Sequence, residues 1–182
     1  MYIIGGKLKG RKLAKCKASY IRPAMALIRK SIFDTLGDFT HQSNVLDLCA
    51  GSGVLGIEAL SRGALSLTLI DLDKNAVQLI HKNLRLCNVQ AKVIRGNLPK
   101  ALNKKEITSQ RFDLIFLDPP YGKSKFIEEN LNTIMLNRLL EKNGLISIES
   151  EVKSDFLIPE ELKLYKEKKF GNTKVIILKN AS

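Results

Sequence analysis

The first 33 positions of this chain contain no acidic residue, its cysteines number only three, and no apolar run approaches a membrane span. Crossing a bilayer takes roughly 20 consecutive apolar residues, so no spanning helix is expected. The N-terminus also lacks the long apolar block of a secretory signal, which makes the cytoplasm the expected location. Cys16, Cys49 and Cys87 are odd in number and show no CxxC spacing, which argues against a disulfide framework or a zinc site. His41 and His81 have no metal-like companions, and no metal is expected. The missing carboxylates leave Lys7, Lys9, Arg11, Lys12, Lys15, Lys17, Arg22, Arg29 and Lys30 uncompensated. An arm of one sign has a long-range field that attracts polyanions, of which nucleic acid is the commonest in the cytoplasm.

What is present fits one globular domain with a small appendage. The chain has 182 residues, 45% apolar and 26% charged, with 30 Lys and Arg against 18 Asp and Glu, a net charge of +12. Residues 1–19 read as an extended hairpin turning at Gly5-Gly6. After Arg22-Pro23, apolar Met25, Ile28, Ile32, Phe33 and Leu36 recur at helical spacing, and Gly37 ends the helix. From Val45 onward strands and helices alternate: strands over 45–49, 66–70, 92–95, 112–117 and 145–149, helices over 54–62, 74–86 and 126–140. Such alternation predicts a parallel sheet covered on both faces. The last two strands, 162–169 and 173–179, have only Phe170-Gly171-Asn172 between them and read as an antiparallel hairpin. The fold class expected is α/β and Rossmann-like, a mostly parallel seven-stranded sheet ending in that hairpin.

Two loops at strand ends carry the chemistry. Gly51-x-Gly53-x-x-Gly56 lies between a strand and a helix, where glycines let a ligand approach the backbone and the helix N-terminus offers free N–H groups. The next strand ends in Asp71-Leu72-Asp73, with Asp71 twenty residues after Gly51, where a carboxylate can accept the hydroxyls of a ribose. Asp73 is the better candidate for a helix N-cap. Asn97, after the third strand, is placed to meet an adenine edge. The pattern indicates an adenosine-type ligand, leaving open a nicotinamide dinucleotide or S-adenosylmethionine.

The second loop is Asp118-Pro119-Pro120-Tyr121-Gly122, at the end of an apolar strand. Two prolines end the strand in a rigid bend. An exocyclic amine on a base is a poor nucleophile because its lone pair is delocalised into the ring. Asp118 and the carbonyl of Pro119 are suited to accept its two hydrogens, and a carboxylate there also favours a positive sulfonium. Tyr121 can stack on the base and hold the amine in line, which requires an unpaired or flipped-out nucleotide.

Nearly the whole chain resembles the bacterial 16S rRNA guanine-N2 methyltransferases. The resemblance lies in Ile4-Gly5-Gly6 with Lys9 to Leu13, Arg22-Pro23, Arg29, Phe33 and Leu36, the Asp47 to Gly56 loop, the run Glu58-Ala59-Leu60-Ser61-Arg62, and Asp118 to Tyr121. Cys49 stands where that family usually has an aromatic residue, and Ala24, Leu27 and Lys30 where it commonly has Thr, Arg and Glu. The resemblance implies S-adenosylmethionine as donor, N2-methylguanine as product, and 16S rRNA in a small ribosomal subunit or its assembly intermediate as partner. The expected organisation is a basic RNA-docking extension, 1–43, and a methyltransferase domain, 44–182, acting as a monomer.

The site expected on these grounds has Asp118, Pro119, Pro120 and Tyr121 at the reacting base. Asp47, Ala50, Gly51, Gly53, Asp71, Leu72, Asn97 and Asp118 would surround the donor, and Lys9, Arg11, Lys12, Arg22 and Arg29 would meet RNA. The competing readings are an adenine-N6 methyltransferase on DNA or RNA, a nicotinamide-dependent oxidoreductase, and a non-catalytic RNA-binding assembly factor.

Overall fold

A computed structural model describes residues 1–15, 23–120 and 122–181. Its seven strands are β1 Asn44–Leu48, β2 Ser66–Asp71, β3 Lys92–Arg95, β4 Phe112–Leu117, β5 Leu140–Glu151, β6 Leu162–Phe170 and β7 Thr173–Asn180. They form one sheet in the order β3-β2-β1-β4-β5-β7-β6. The pairs from β3 to β5 are parallel, and β7 lies antiparallel between β5 and β6. The order reverses direction at β1 and β4, the switch point where open α/β sheets bind ligands. The helices are α1 Pro23–Leu36, α2 Val54–Ser61, α3 Lys74–Cys87, α4 Lys105–Thr108 and α5 Ser124–Leu136.

Strand alternation sorts the core into two layers. Val45, Leu69, Leu114 and Phe116 face a buried cluster shared with Ile28, Ile32 and Phe33 of α1, Ile57 of α2 and Ile80 of α3. Leu46, Ile70, Ile115 and Leu117 face the opposite cluster, with Ile127, Leu131 and Ile134 of α5. The N-terminal arm joins the first layer through Ile3 and Leu13, 1% and 2% exposed, so it shares the core of the sheet. Burying side chains of this size stabilises by about 1.5–3 kcal/mol each.

Several expectations shift at their edges. The arm forms one antiparallel bridge, Tyr2 with Lys12, around a short 3-10 turn at Gly6–Leu8, and residues 16–19 lie outside the described part. Met25 is half exposed, and α1 packs through Ile28, Ile32, Phe33 and Leu36 instead. The helix expected over 126–140 ends at Leu136. Arg138 turns the chain with a positive φ of 50°, and Leu139 and Leu140 join the core under the sheet. Their apolar spacing suited a helix as well as a strand, and tertiary burial decided. β5 therefore begins at Leu140 and bulges over 141–144 before regaining register at Leu145 opposite Leu114.

Candidate active site

The donor loop is held by carboxylates before any ligand is considered. Leaving β1, the chain turns through Cys49, Gly51 and Gly53, all at positive φ, and enters α2. Asp71 Oδ2 accepts the Gly51 N–H at 2.8 Å, and its Oδ1 accepts the Asp73 N–H at 2.9 Å. Each oxygen keeps a further lone pair for a ligand hydroxyl. Asp47 is buried beneath the loop, and its Oδ2 accepts the Gly56 N–H at 2.9 Å. A Cβ on Gly56 would lie 2.6 Å from the Leu67 side chain and 3.1 Å from Asp47 Oδ2, so this glycine is there for close packing of α2 on β2. Asp73 caps α3 by accepting the Asn75 N–H.

The remaining donor residues assigned from sequence form the rim of this loop. Ala50 donates its N–H to the Ile70 carbonyl, tying β1 to β2. Leu72 is exposed immediately after Asp71. The Gly96 N–H donates to the Asp71 carbonyl, which brings the exposed Asn97 to the same edge. The backbone beside Gly51 is open: a Cβ built there meets nothing nearer than 3.9 Å. An open glycine backbone, a carboxylate with spare acceptors and a capped helix entrance fit an adenosine group.

The reaction loop stands next to it, because β4 pairs with β1. Asp118 continues the β4 register, donating its N–H to the Leu48 carbonyl at 3.4 Å. Pro119 is buried and Pro120 exposed, and the loop is fastened to the end of β5 by the Gly122 N–H donating to Glu151 Oε2. Tyr121 lies outside the described residues.

Sequence reasoning missed a fourth strand-end carboxylate, Glu149 on β5. In register, Asp47 sits opposite Leu69 and Phe116, and Leu117 sits opposite Ile148. Alternation thus puts Asp71, Asp47, Asp118 and Glu149, on four adjacent strands, toward the same layer at the C-terminal edge of the sheet. Burial and neighbouring charge raise the pKa values of three of them. Burial, opposed by the Gly56 N–H and reinforced by Asp71, lifts Asp47 to about 7. Burial, then Glu149 and Asp47, holds Asp118 well above the usual carboxylate range, and burial raises Glu149. An acidic row in a chain of net charge +12 suits a cationic ligand. Glu149 follows an apolar run as Asp71 and Asp118 do, but with no glycine or proline loop beside it, and only the pairing of β5 with β4 brings it to this row.

The basic residues separate into two groups. Lys9, Arg11 and Lys12 are exposed on the arm, and among the described residues none makes an ion pair. Arg22 lies outside the described residues. Arg29 corrects the expectation from sequence: it is buried, 6% exposed, with Nε 3.6 Å from Glu58 Oε2 and one terminal nitrogen donating to the Tyr2 carbonyl at 2.7 Å. Its guanidinium holds the arm to the body and does not face a phosphate.

Glu58 is the centre of that attachment. Fully buried on α2, it accepts the Ile4 N–H at 2.9 Å and pairs with Arg62 at 3.0 Å as well as with Arg29. One turn on, the Ser61 hydroxyl donates to the Gly5 carbonyl and accepts the Leu8 N–H. Asn83 of α3, also buried, accepts the Ala14 N–H and donates to the Ser52 carbonyl, linking the arm to the donor loop. Among the described residues no group of His, Cys, Asp and Glu is arranged to hold a metal, and no helix is long and apolar enough to cross a membrane.

Comparison with known proteins agrees with this geometry. The family model for conserved hypothetical protein 95 matches residues 1–179. Ribosomal RNA small subunit methyltransferase D of Buchnera aphidicola (Acyrthosiphon pisum) is 37% identical over 169 residues, 92% of this chain and 87% of the relative. The Escherichia coli K12 protein of the same name is 35% identical over 171 residues, 93% of this chain and 84% of the relative. The solved structure of Escherichia coli yhhF superposes with a TM-score of 0.89 at 33% identity, covering 100% of this chain and 98% of that one. The chain therefore belongs to the conserved hypothetical protein 95 family, that of the ribosomal RNA small subunit methyltransferases D, and is a methyltransferase.

Proposed function

We propose that this protein methylates the exocyclic N2 amine of a guanine in 16S rRNA, acting as a cytoplasmic monomer on the small ribosomal subunit or its assembly intermediate. The observation that carries the reading is the adjacency of the two loops: Asp118 and the Pro119 carbonyl end the strand paired with β1, from which the donor loop departs. A base held by one loop then lies beside a donor held by the other.

Held by the first loop, S-adenosylmethionine would supply an electrophilic methyl group on a positive sulfonium, the S–C electron pair remaining on sulfur when N2 accepts the methyl. Asp118 accepts one N–H of the amine, and the Pro119 carbonyl accepts the other, freeing the nitrogen lone pair toward the methyl carbon. The surplus proton passes from N2 to the Asp118 carboxylate, a group whose raised pKa fits it to receive one. Tyr121 stacks on the base and fixes the line of approach. The acidic row favours the cationic donor and loses that attraction once the product is a neutral thioether. Asp71 takes the ribose hydroxyls, while the Gly51 and Gly53 backbone, Ala50, Leu72 and Asn97 surround the nucleoside. Residues 1–43 dock RNA through Lys9, Arg11, Lys12 and Arg22.

The test is transfer of labelled methyl to small subunits from a strain lacking the enzyme, beside naked 16S rRNA and duplex DNA, followed by nucleoside analysis. N2-methylguanosine on subunits alone is expected, with Asp118→Ala slowed about 100- to 1,000-fold, the loss typical of an oriented polar group at a transition state. N6-methyladenine would move the reading to the adenine enzymes, and near-normal turnover by Asp118→Ala would refute the orientation mechanism.

A further inference from the structure

Of the four carboxylates in the acidic row, three have work in the account above. Asp47 braces α2, Asp71 holds the Gly51 N–H and faces the donor, and Asp118 meets the amine. Beyond its share in the charge of the row, Glu149 has none. It is half-buried, and among the described residues no cation and no N–H or O–H is bonded to its carboxylate. Leaving a partly desolvated carboxylate without a donor is costly, and a ligand N–H would offset that cost.

Its position follows from the sheet register. Leu117 of β4 is opposite Ile148 of β5, and Asp118 stays in strand register through its N–H to Leu48, so Asp118 and Glu149 are lateral neighbours at roughly the 4.8 Å spacing of adjacent strands. Glu149 is itself opposite Val175, which is buried in the layer shared with α1 and the arm, so its side chain leaves the sheet on the same face as Asp118. The donor loop lies on the β1 and β2 side of Asp118 and Glu149 on the far side. A base whose amine is held at Asp118, with its methyl donor toward β1, presents its next ring edge to β5.

Among the bases that carry an exocyclic amine, guanine alone has a ring N–H next to that amine. Adenine presents the N1 lone pair there and cytosine the N3 lone pair, and either would face a carboxylate oxygen with no hydrogen between them. Building on the guanine-N2 reading, we propose that Glu149 is the residue that selects guanine, its carboxylate accepting the N1–H while Asp118 and the Pro119 carbonyl hold N2. The same group that rewards guanine repels adenine, so selectivity needs no further residue at this edge.

The experiment compares wild type with Glu149→Gln and Glu149→Ala on small subunits, and on subunits in which the modified guanine, once mapped, is replaced by adenine. Retained circular dichroism and a melting shift that persists on adding S-adenosylmethionine, even if smaller, establish that each variant is folded and binds donor. On guanine, kcat/KM is expected to fall about 10- to 100-fold in Glu149→Ala and less in Glu149→Gln, whose amide oxygen still accepts a hydrogen bond. On adenine, wild type is expected to transfer nothing, whereas Glu149→Gln gains N6-methyladenosine because its amide N–H meets N1. A merely structural glutamate would not change base preference. If wild type makes N2-methylguanosine and both variants stay within threefold of it, the assignment is overturned and the proposed activity stands. A fall on guanine without any gain on adenine would overturn the selecting role. If wild type makes no N2-methylguanosine at all, the guanine reading fails first and Glu149 with it.

Discussion

The thiol of Cys49 sits at a positive φ of 60° in the turn between β1 and the donor loop, a conformation a side chain with Cβ adopts at some cost. Burial, then the charges of Asp71, Asp118 and Asp47, pushes its pKa up to about 12, so the thiolate that would act as nucleophile is scarcely populated at neutral pH. Cys49 is therefore expected to alkylate with iodoacetamide at pH 7.5 at least about tenfold more slowly than free cysteine, read by peptide mass spectrometry. Rapid labelling would show that the acidic surroundings do not control this position. At this scale the sequence singled out Asp71 and Asp118, which the structure brings to one edge of the sheet, because each stands at a loop with its own vocabulary of glycine or proline. Glu149 was not legible, since a polar residue after Leu145-Ile146-Ser147-Ile148 reads as the ordinary end of a strand. Only the pairing of β5 with β4 places it beside the reaction loop. Arg29 misled for the converse reason: charge counts along an arm do not say which way a helix turns its face.

Helix α2 works at both of its ends. Its first turn receives the donor loop, with Asp47 holding the Gly56 N–H, and its last turn holds the arm through Glu58, Ser61 and Arg62. This gives a physical reason for the Glu58 to Arg62 run, which no methyltransferase chemistry requires. Arg62 also lies 4.8 Å over the Phe33 ring, adding α1 to the same knot. Glu58→Ala would leave two guanidiniums without their carboxylate, Arg29 fully inside, and is expected to destabilise the protein by about 3–5 kcal/mol in urea unfolding. A loss below about 1 kcal/mol would mean that water replaces Glu58 at little cost. Gly6 has the reciprocal constraint: at φ +71°, a Cβ there would overlap the Ser61 carbonyl. The alternation of elements from β1 to β7 was readable because hydrophobic period changes sharply between strand and helix. The ends of α5 and β5 were not, because Leu139 and Leu140 suit either element and burial alone assigned them.

Across the whole sheet the acidic row sets how the molecule responds to pH. Asp47 is lifted to about 7 and Asp118 and Glu149 are raised, each in the folded state relative to the ordinary carboxylate value near 4. A raised carboxylate contributes stability while it is protonated, below its unfolded pKa, and loses that contribution as pH rises toward its folded value. The free protein is therefore expected to lose stability between about pH 4 and 7 through Asp47, with Asp118 and Glu149 acting in the same direction. A cationic donor favours their ionised forms, so S-adenosylmethionine should raise the melting temperature more at pH 8 than at pH 5.5 and release protons on binding. Calorimetry in buffers of different ionisation enthalpy measures that release, and a proton count of zero would contradict the raised carboxylates.

Asn83 gives the arm a further meaning. One buried amide meets both Ala14 and Ser52, so the segment that carries Lys9, Arg11 and Lys12 rests on the loop beside the donor. Together with Glu58, Ser61 and Arg62 it makes the arm a poor candidate for exchange between enzymes. Transplanting residues 1–15 alone onto another methyltransferase would carry across the positive charge and leave behind the sockets that aim it.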